Sequence, residues 1–182
     1  MKQLFVISCL AFALAGCNDP ATKTPGADSI GTTAKTADET VLPFTLVKPY
    51  KNWQIGSTEN VVSAMAGLKA FVDKDYTALA ASLGDSVEVR FDNFHGVFSR
   101  DSAVKMFTAQ RNTYSALVIT MYDYVSVISA DKKDEWVTMW YKQAWKNDKG
   151  VADSLAVVDD CKMHNGKMIE LDEKVQRYPG KK

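Results

Sequence analysis

Cysteine is scarce in this chain, with only Cys9, Cys17 and Cys161 among 182 residues, and Cys9 lies in an N-terminal apolar run. A disulfide framework is therefore not expected. The two histidines, His95 and His164, stand far apart with no second ligand at metal-binding spacing, so neither a metal nor another cofactor is expected. Charge of one sign is not in excess either: 22 Lys and Arg face 22 Asp and Glu, which argues against a nucleic-acid partner. No apolar run reaches the ~20 residues of a membrane-spanning helix. The run from Leu4 to Leu14 is too short.

That short run follows Met1-Lys2 and ends in Leu14-Ala15-Gly16-Cys17. A positive start, an apolar stretch and a small-residue cleavage site make residues 1–16 a signal peptide. The tetrapeptide resembles the bacterial lipoprotein lipobox, which implies cleavage before Cys17, lipidation of Cys17 and a membrane anchor. A domain held outside the cytoplasm, in the cell envelope, is the expectation. Asn18, where an Asp would signal inner-membrane retention in enteric bacteria, points to the outer membrane. Residues 17–41 are rich in Thr, Ala, Lys, Asp and Gly and form a tether, because so little apolar surface cannot offset the entropy of folding. Residues 42–56 carry Trp53 without a clear period and read as a lead-in to a domain spanning 57–182.

Within that domain Ser57 looks like a helix cap, followed by Val61, Val62, Met65, Leu68, Phe71 and Val72 at helical spacing. Asp73-Lys74-Asp75 breaks the helix, and a shorter one follows with Leu79 and Leu83, closed by Gly84 as its C′ glycine. Val87, Val89 and Phe91 alternate with Glu88, Arg90 and Asp92, which is a strand with one wet face. Residues 93–96 read as a loop or bulge, and Ser99 caps a third helix with Val104 and Phe107. The remainder, 117–128, 135–145, 152–163 and 167–178, reads as four long strands, the last two joined by the hairpin signal Asn165-Gly166. The fold class is α+β: a curved antiparallel sheet covered on its concave face by about three helices.

Three passages carry a resemblance. Residues 71–76 with Leu79 and Leu83, the stretch from Gly96 to Phe107, and residues 163–169 around Asn165-Gly166 resemble the nuclear transport factor 2-like superfamily, the cone-shaped fold that includes SnoaL-like polyketide cyclases and ketosteroid isomerase. The resemblance implies an apolar pocket at the open end of the cone, and often dimerisation through the sheet. It also implies a general base near the end of the strand that holds Asp92. The pleat, however, sets Asp92 with Glu88 and Arg90, away from Val87, Val89 and Phe91. The tyrosine that the isomerase carries on its first helix is missing from the core face of this one.

Asp92 and His95 are the candidate catalytic groups, and Phe91, Asn93, His95, Tyr122, Tyr124 and Trp140 the candidate ligand-pocket residues. Asp159 and Asp160 point to opposite faces of their strand, so they form no paired-carboxylate site. Trp136, Thr138 and Trp140 share one face of their strand, and Val137, Met139 and Tyr141 the other. Both faces are apolar enough to need cover, supplied on the convex side either by a second copy of the chain or by the lead-in. The first functional expectation is a non-catalytic module binding a small hydrophobic ligand or a protein partner. The second is a lyase, isomerase or hydrolase acting on a hydrophobic small molecule.

Overall fold

Seven strands and three helices make up the described part of the computed structural model, residues 42–92 and 94–178. Residues 1–41, on which the expected signal peptide, lipidated Cys17 and tether fall, lie outside it, as do Asn93 and residues 179–182. A compact unit begins at Leu46. In chain order the elements are β1 (Gln54–Ile55), α1 (Thr58–Asp73), α2 (Tyr76–Ser82), β2 (Leu83–Phe91), β3 (Phe94–Ser99), α3 (Arg100–Asn112), β4 (Tyr114–Ile128), β5 (Glu135–Asn147), β6 (Ala152–His164) and β7 (Lys167–Arg177).

Local signals start and stop the helices. The Ser57 side chain accepts a hydrogen bond from the Asn60 amide at 3.2 Å and opens α1. Lys74 in the left-handed conformation closes it, and one residue later Asp75 caps α2 by accepting from the Ala78 amide at 2.9 Å. Ser99 caps α3 in the same way, with Asp101 in the first turn to complement the helix dipole.

The sheet runs β1-β4-β5-β6-β7-β2-β3, antiparallel throughout except for the parallel pair β2 and β7. The helices cover one face. Leu79, Leu83, Val87, Val89, Phe107, Val137, Met139, Val157 and Leu171 form the core between them and the sheet. On β5 the inward face is Val137, Met139, Tyr141 and Gln143, all buried, and the alternate residues Trp136, Thr138 and Trp140 lie on the other side.

Two local expectations are corrected. Of the segment expected as a loop or bulge at 93–96, Phe94 to Gly96 are instead the start of β3, whose hairpin with β2 pairs Phe91 with Phe94 and Arg90 with His95. Nor does Gly84 terminate α2. Leu83 already has extended geometry, and Gly84 lies in β2, where an added Cβ would stand 2.8 Å from the Ile169 side chain on β7. Close approach of two strands, not a left-handed turn, explains this glycine.

The lead-in contributes a two-residue edge strand, Gln54–Ile55, paired with Ile128 and Val127. Leu46, Val47 and Tyr50 are exposed, so this part of the lead-in does not pack over the convex face. At the β6–β7 turn Asn165 and Gly166 both have positive φ, 49° and 73°, the type I′ signature. Gly166→Val is expected to destabilise the protein by more than ~1 kcal/mol, because a β-branched residue resists that conformation. Urea denaturation of the variant measures it, and an unchanged midpoint would contradict the turn assignment.

Candidate functional site

Alternation along β6 and β7 places acidic side chains where apolar ones are expected. Asp159 shares the inward face of β6 with Val157, Cys161 and Met163, and Glu173 shares that of β7 with Leu171. The two are directly paired across the strands. They line a cavity of ≈ 60 Å³ between the sheet and all three helices. Its apolar wall includes Leu68 and Phe71 of α1, Leu79 of α2, Phe91 of β2, Phe107 of α3 and Met139 of β5. Its polar part is supplied by Gln110, Gln143 and Glu173 together with Tyr141 and Asp159.

The centre of that polar part is an Asp–Tyr pair. The Tyr141 hydroxyl donates to Asp159 Oδ2 at 2.7 Å, both residues being almost wholly buried. Asp159 Oδ1 has no hydrogen-bond partner. Burial and the neighbouring Glu173 charge push the Asp159 carboxyl up to about 8, against the Tyr141 hydrogen bond, which favours ionisation. Burial likewise pushes Glu173 up to about 7. The upward shift favours the protonated form of Asp159, and because Tyr141 donates to Oδ2, Oδ1 is the oxygen left free to carry the proton. Burial and Asp159 raise Tyr141 well above the usual phenol range, so it is a donor and not a base. Burial followed by Asp159 does the same to the Cys161 thiol, which removes it as a nucleophile. Nearby, burial and then Glu173 raise Tyr114, with Gln110 and Thr113 opposing through hydrogen bonds.

This constellation differs from the candidates read from the sequence. Phe91 lines the cavity. Asp92 does not: it sits exposed at the β2–β3 turn with φ 43°. His95 lies on the outer face, its Nε2 2.7 Å from Glu88 Oε1, in a surface cluster where Arg90 also bonds Glu88 and Glu170. That His95 hydrogen bond, with Arg90 adding to it, holds Glu88 below the usual carboxylate range. Tyr122 and Tyr124 on β4 are exposed, and Trp140 lies on the face of β5 opposite Tyr141. None of these three lines the cavity, and Asn93 lies outside the described residues. Asp160 does point outward, accepting from Thr138 and pairing with Lys174 at 2.8 Å. The acidic pair is instead Asp159 with Glu173, between strands. A signal for it was present, since each is a carboxyl residue on the apolar face of an alternating strand.

No family model matches the sequence, and no curated protein matches it. Solved structures do. A Mycobacterium tuberculosis epoxide hydrolase of the LEH-like type superposes with a TM-score of 0.54 at 14% identity, over 66% of this chain and 84% of that one. A nuclear transport factor 2-like protein of unknown function from Exiguobacterium superposes at 0.53 and 10% identity, over 63% and 98%. This chain has the nuclear transport factor 2-like fold. A third structure with the fold, RV0760c from Mycobacterium tuberculosis in complex with estradiol-17beta-hemisuccinate, matches at 0.52 and 10% identity, over 64% and 93%. At such identities the cone architecture is shared, and the chemistry has to be argued from this chain's own residues. Among the described residues no group of side chains is arranged to hold a metal ion, and no helix is long and apolar enough to cross a membrane.

Proposed function

We propose that this domain receives a small, largely apolar molecule in its cone cavity and holds the molecule's polar end at Asp159. The observation that carries this reading is the unpartnered Oδ1 of a nearly inaccessible carboxyl that lines a cavity walled mainly by Phe, Leu and Met side chains. A buried polar atom without a partner is destabilising, commonly by ~1–3 kcal/mol, and a ligand that satisfies it gains that difference on binding. Structural neighbours that hold small molecules support the same reading.

Methyl-resolved NMR tests it. Small alcohols or amines of three carbons should shift the methyls of Leu79, Met139, Met168 and Leu171. Shifts confined to residues of the convex face would refute it.

A specific observation also favours acid–base catalysis. Asp159 and Glu173 are paired side by side and burial raises both carboxyls, to about 8 and about 7, the arrangement in which one carboxyl donates a proton while its neighbour accepts one. An isomerase, lyase or hydrolase acting on a small apolar molecule is the second reading. It predicts turnover that is lost on Glu173→Gln with the fold retained.

The domain is further proposed to be carried outside the cytoplasm on a lipidated Cys17, supported by Leu14-Ala15-Gly16-Cys17 and the polar tether that follows. Cys17→Ser is expected to move the protein from the membrane to the soluble fraction without altering its thermal unfolding. Unchanged, salt-resistant membrane association of the variant would contradict the anchor.

A further inference from the structure

Two carboxyls side by side in an apolar cavity can ionise together only beside a counter-charge, and the cavity wall contains no Lys, Arg or His. The groups around Asp159 can be named element by element. β5 offers the Tyr141 hydroxyl and the Gln143 amide, β6 the Cys161 thiol, and β7 the Glu173 carboxyl. α3 offers the Gln110 amide, and α1 and α2 only apolar residues and a glycine. The nearest cation on the same strands, Lys174, is committed outward to Asp160 and Asp172 at 2.8 and 3.0 Å. Asp160 is the other charge near Asp159 and lies on that outer face. Arg111 is spent on the backbone carbonyls of Val72 and Tyr114.

The apolar wall combines Leu and Met side chains with three aromatic rings, of which Phe107 meets Phe71 and Phe91 edge-to-face at 6.4 Å each. Carboxylates combined with aromatic rings, and no cation, are the chemical complement of an organic ammonium.

Resting on the cavity reading above, the geometry points to a small primary ammonium as the ligand class, with its nitrogen donating to Asp159 Oδ1 and Glu173 and its short apolar tail against the Phe rings. One ammonium has three donors, enough to satisfy the orphaned Oδ1 and the second carboxyl together. A neutral oxygen acceptor could satisfy only a protonated Asp159 and would leave Glu173 without a partner charge. The cavity is small, ≈ 60 Å³, and propylamine is the corresponding small ammonium probe.

Binding of this ligand is linked to protons. The amine remains charged below its pKa of ~10, while Asp159 and Glu173 must ionise to receive it. Affinity therefore rises with pH up to about 8.

Titrations of the full chain with propylamine and with 1-propanol at matched ionic strength, read on the cavity methyls, distinguish the outcomes. At pH 8 propylamine is expected to bind at least tenfold more tightly than 1-propanol. At pH 5.5 its affinity falls at least tenfold and the preference disappears. Asp159→Asn is expected to lose the preference at pH 8 and keep the weak binding of 1-propanol.

Equal affinity for the two probes at pH 8, or an amine preference that survives Asp159→Asn, overturns the ammonium assignment and leaves the cavity reading intact. Failure of both probes to shift any cavity methyl overturns the two together.

Discussion

Asp159→Asn is expected to stabilise the unliganded protein at pH 8.5, by about 2–3 kcal/mol, and to leave it within ~1 kcal/mol of the parent at pH 5. The substitution keeps the shape and still offers Tyr141 an acceptor, but removes a charge that burial penalises. The sign follows from proton linkage. In the unfolded chain Asp159 loses its proton near pH 4, while in the folded state it holds the proton until about 8. Between those values the folded state binds more protons, so stability falls as pH rises and levels off above 8.

A four-unit rise corresponds to ~5 kcal/mol at 1.36 kcal/mol per unit. Part of that belongs to the coupling with Glu173, which sets the smaller expectation. Glu88, Asp131, Asp134 and Glu135 are shifted down, so their opposite slope is complete above about pH 5 and does not mask the effect. Urea unfolding of parent and variant at pH 5 and pH 8.5 measures the difference. Parallel stability curves across that range would show that Asp159 is ionised throughout and that the buried acid pair has been misread.

The second large effect is expected at Phe107. This residue is 6% exposed, fixes α3 against the core and stands between Phe71 and Phe91. Phe107→Ala is expected to lose ~3–5 kcal/mol, from lost apolar transfer plus a void that the rigid sheet cannot close. Phe107→Leu, which keeps most of the volume, should lose less than half as much. The same truncation enlarges the ligand cavity. A longer amine such as hexylamine should therefore raise the melting temperature of the Phe107→Ala protein more than that of the parent. Denaturation and melting curves report both quantities, and equal losses for the Ala and Leu variants would mean that α3 is not held by this contact.

The α+β cone was determined by features a single sequence displays. Ser57, Asp75 and Ser99 sit where caps are needed, and Asn165-Gly166 supplies two residues able to take positive φ. Long β-branched and aromatic strands separated by short turns leave an antiparallel arrangement as the economical solution, because local hydrogen bonding and hairpin geometry involve neighbours in the chain. Alternation also divided β5 correctly into two faces. It could not tell which face looks inward, since Trp136 and Trp140 are as apolar as Val137 and Met139. Only the packing of α1, α2 and α3 on the Tyr141 side decided that, and it moved the polar centre away from Trp140, Asp92 and His95.

The acid pair has the same origin. Asp159 and Glu173 are fourteen positions apart and meet because β6 and β7 pair in one particular register. Their raised pKa values come from the helices that exclude water above them, an effect of burial that has no local sequence signature. The four long strands β4 to β7 were therefore written in the sequence, and the chemistry they hold was decided by which of their faces the helices covered.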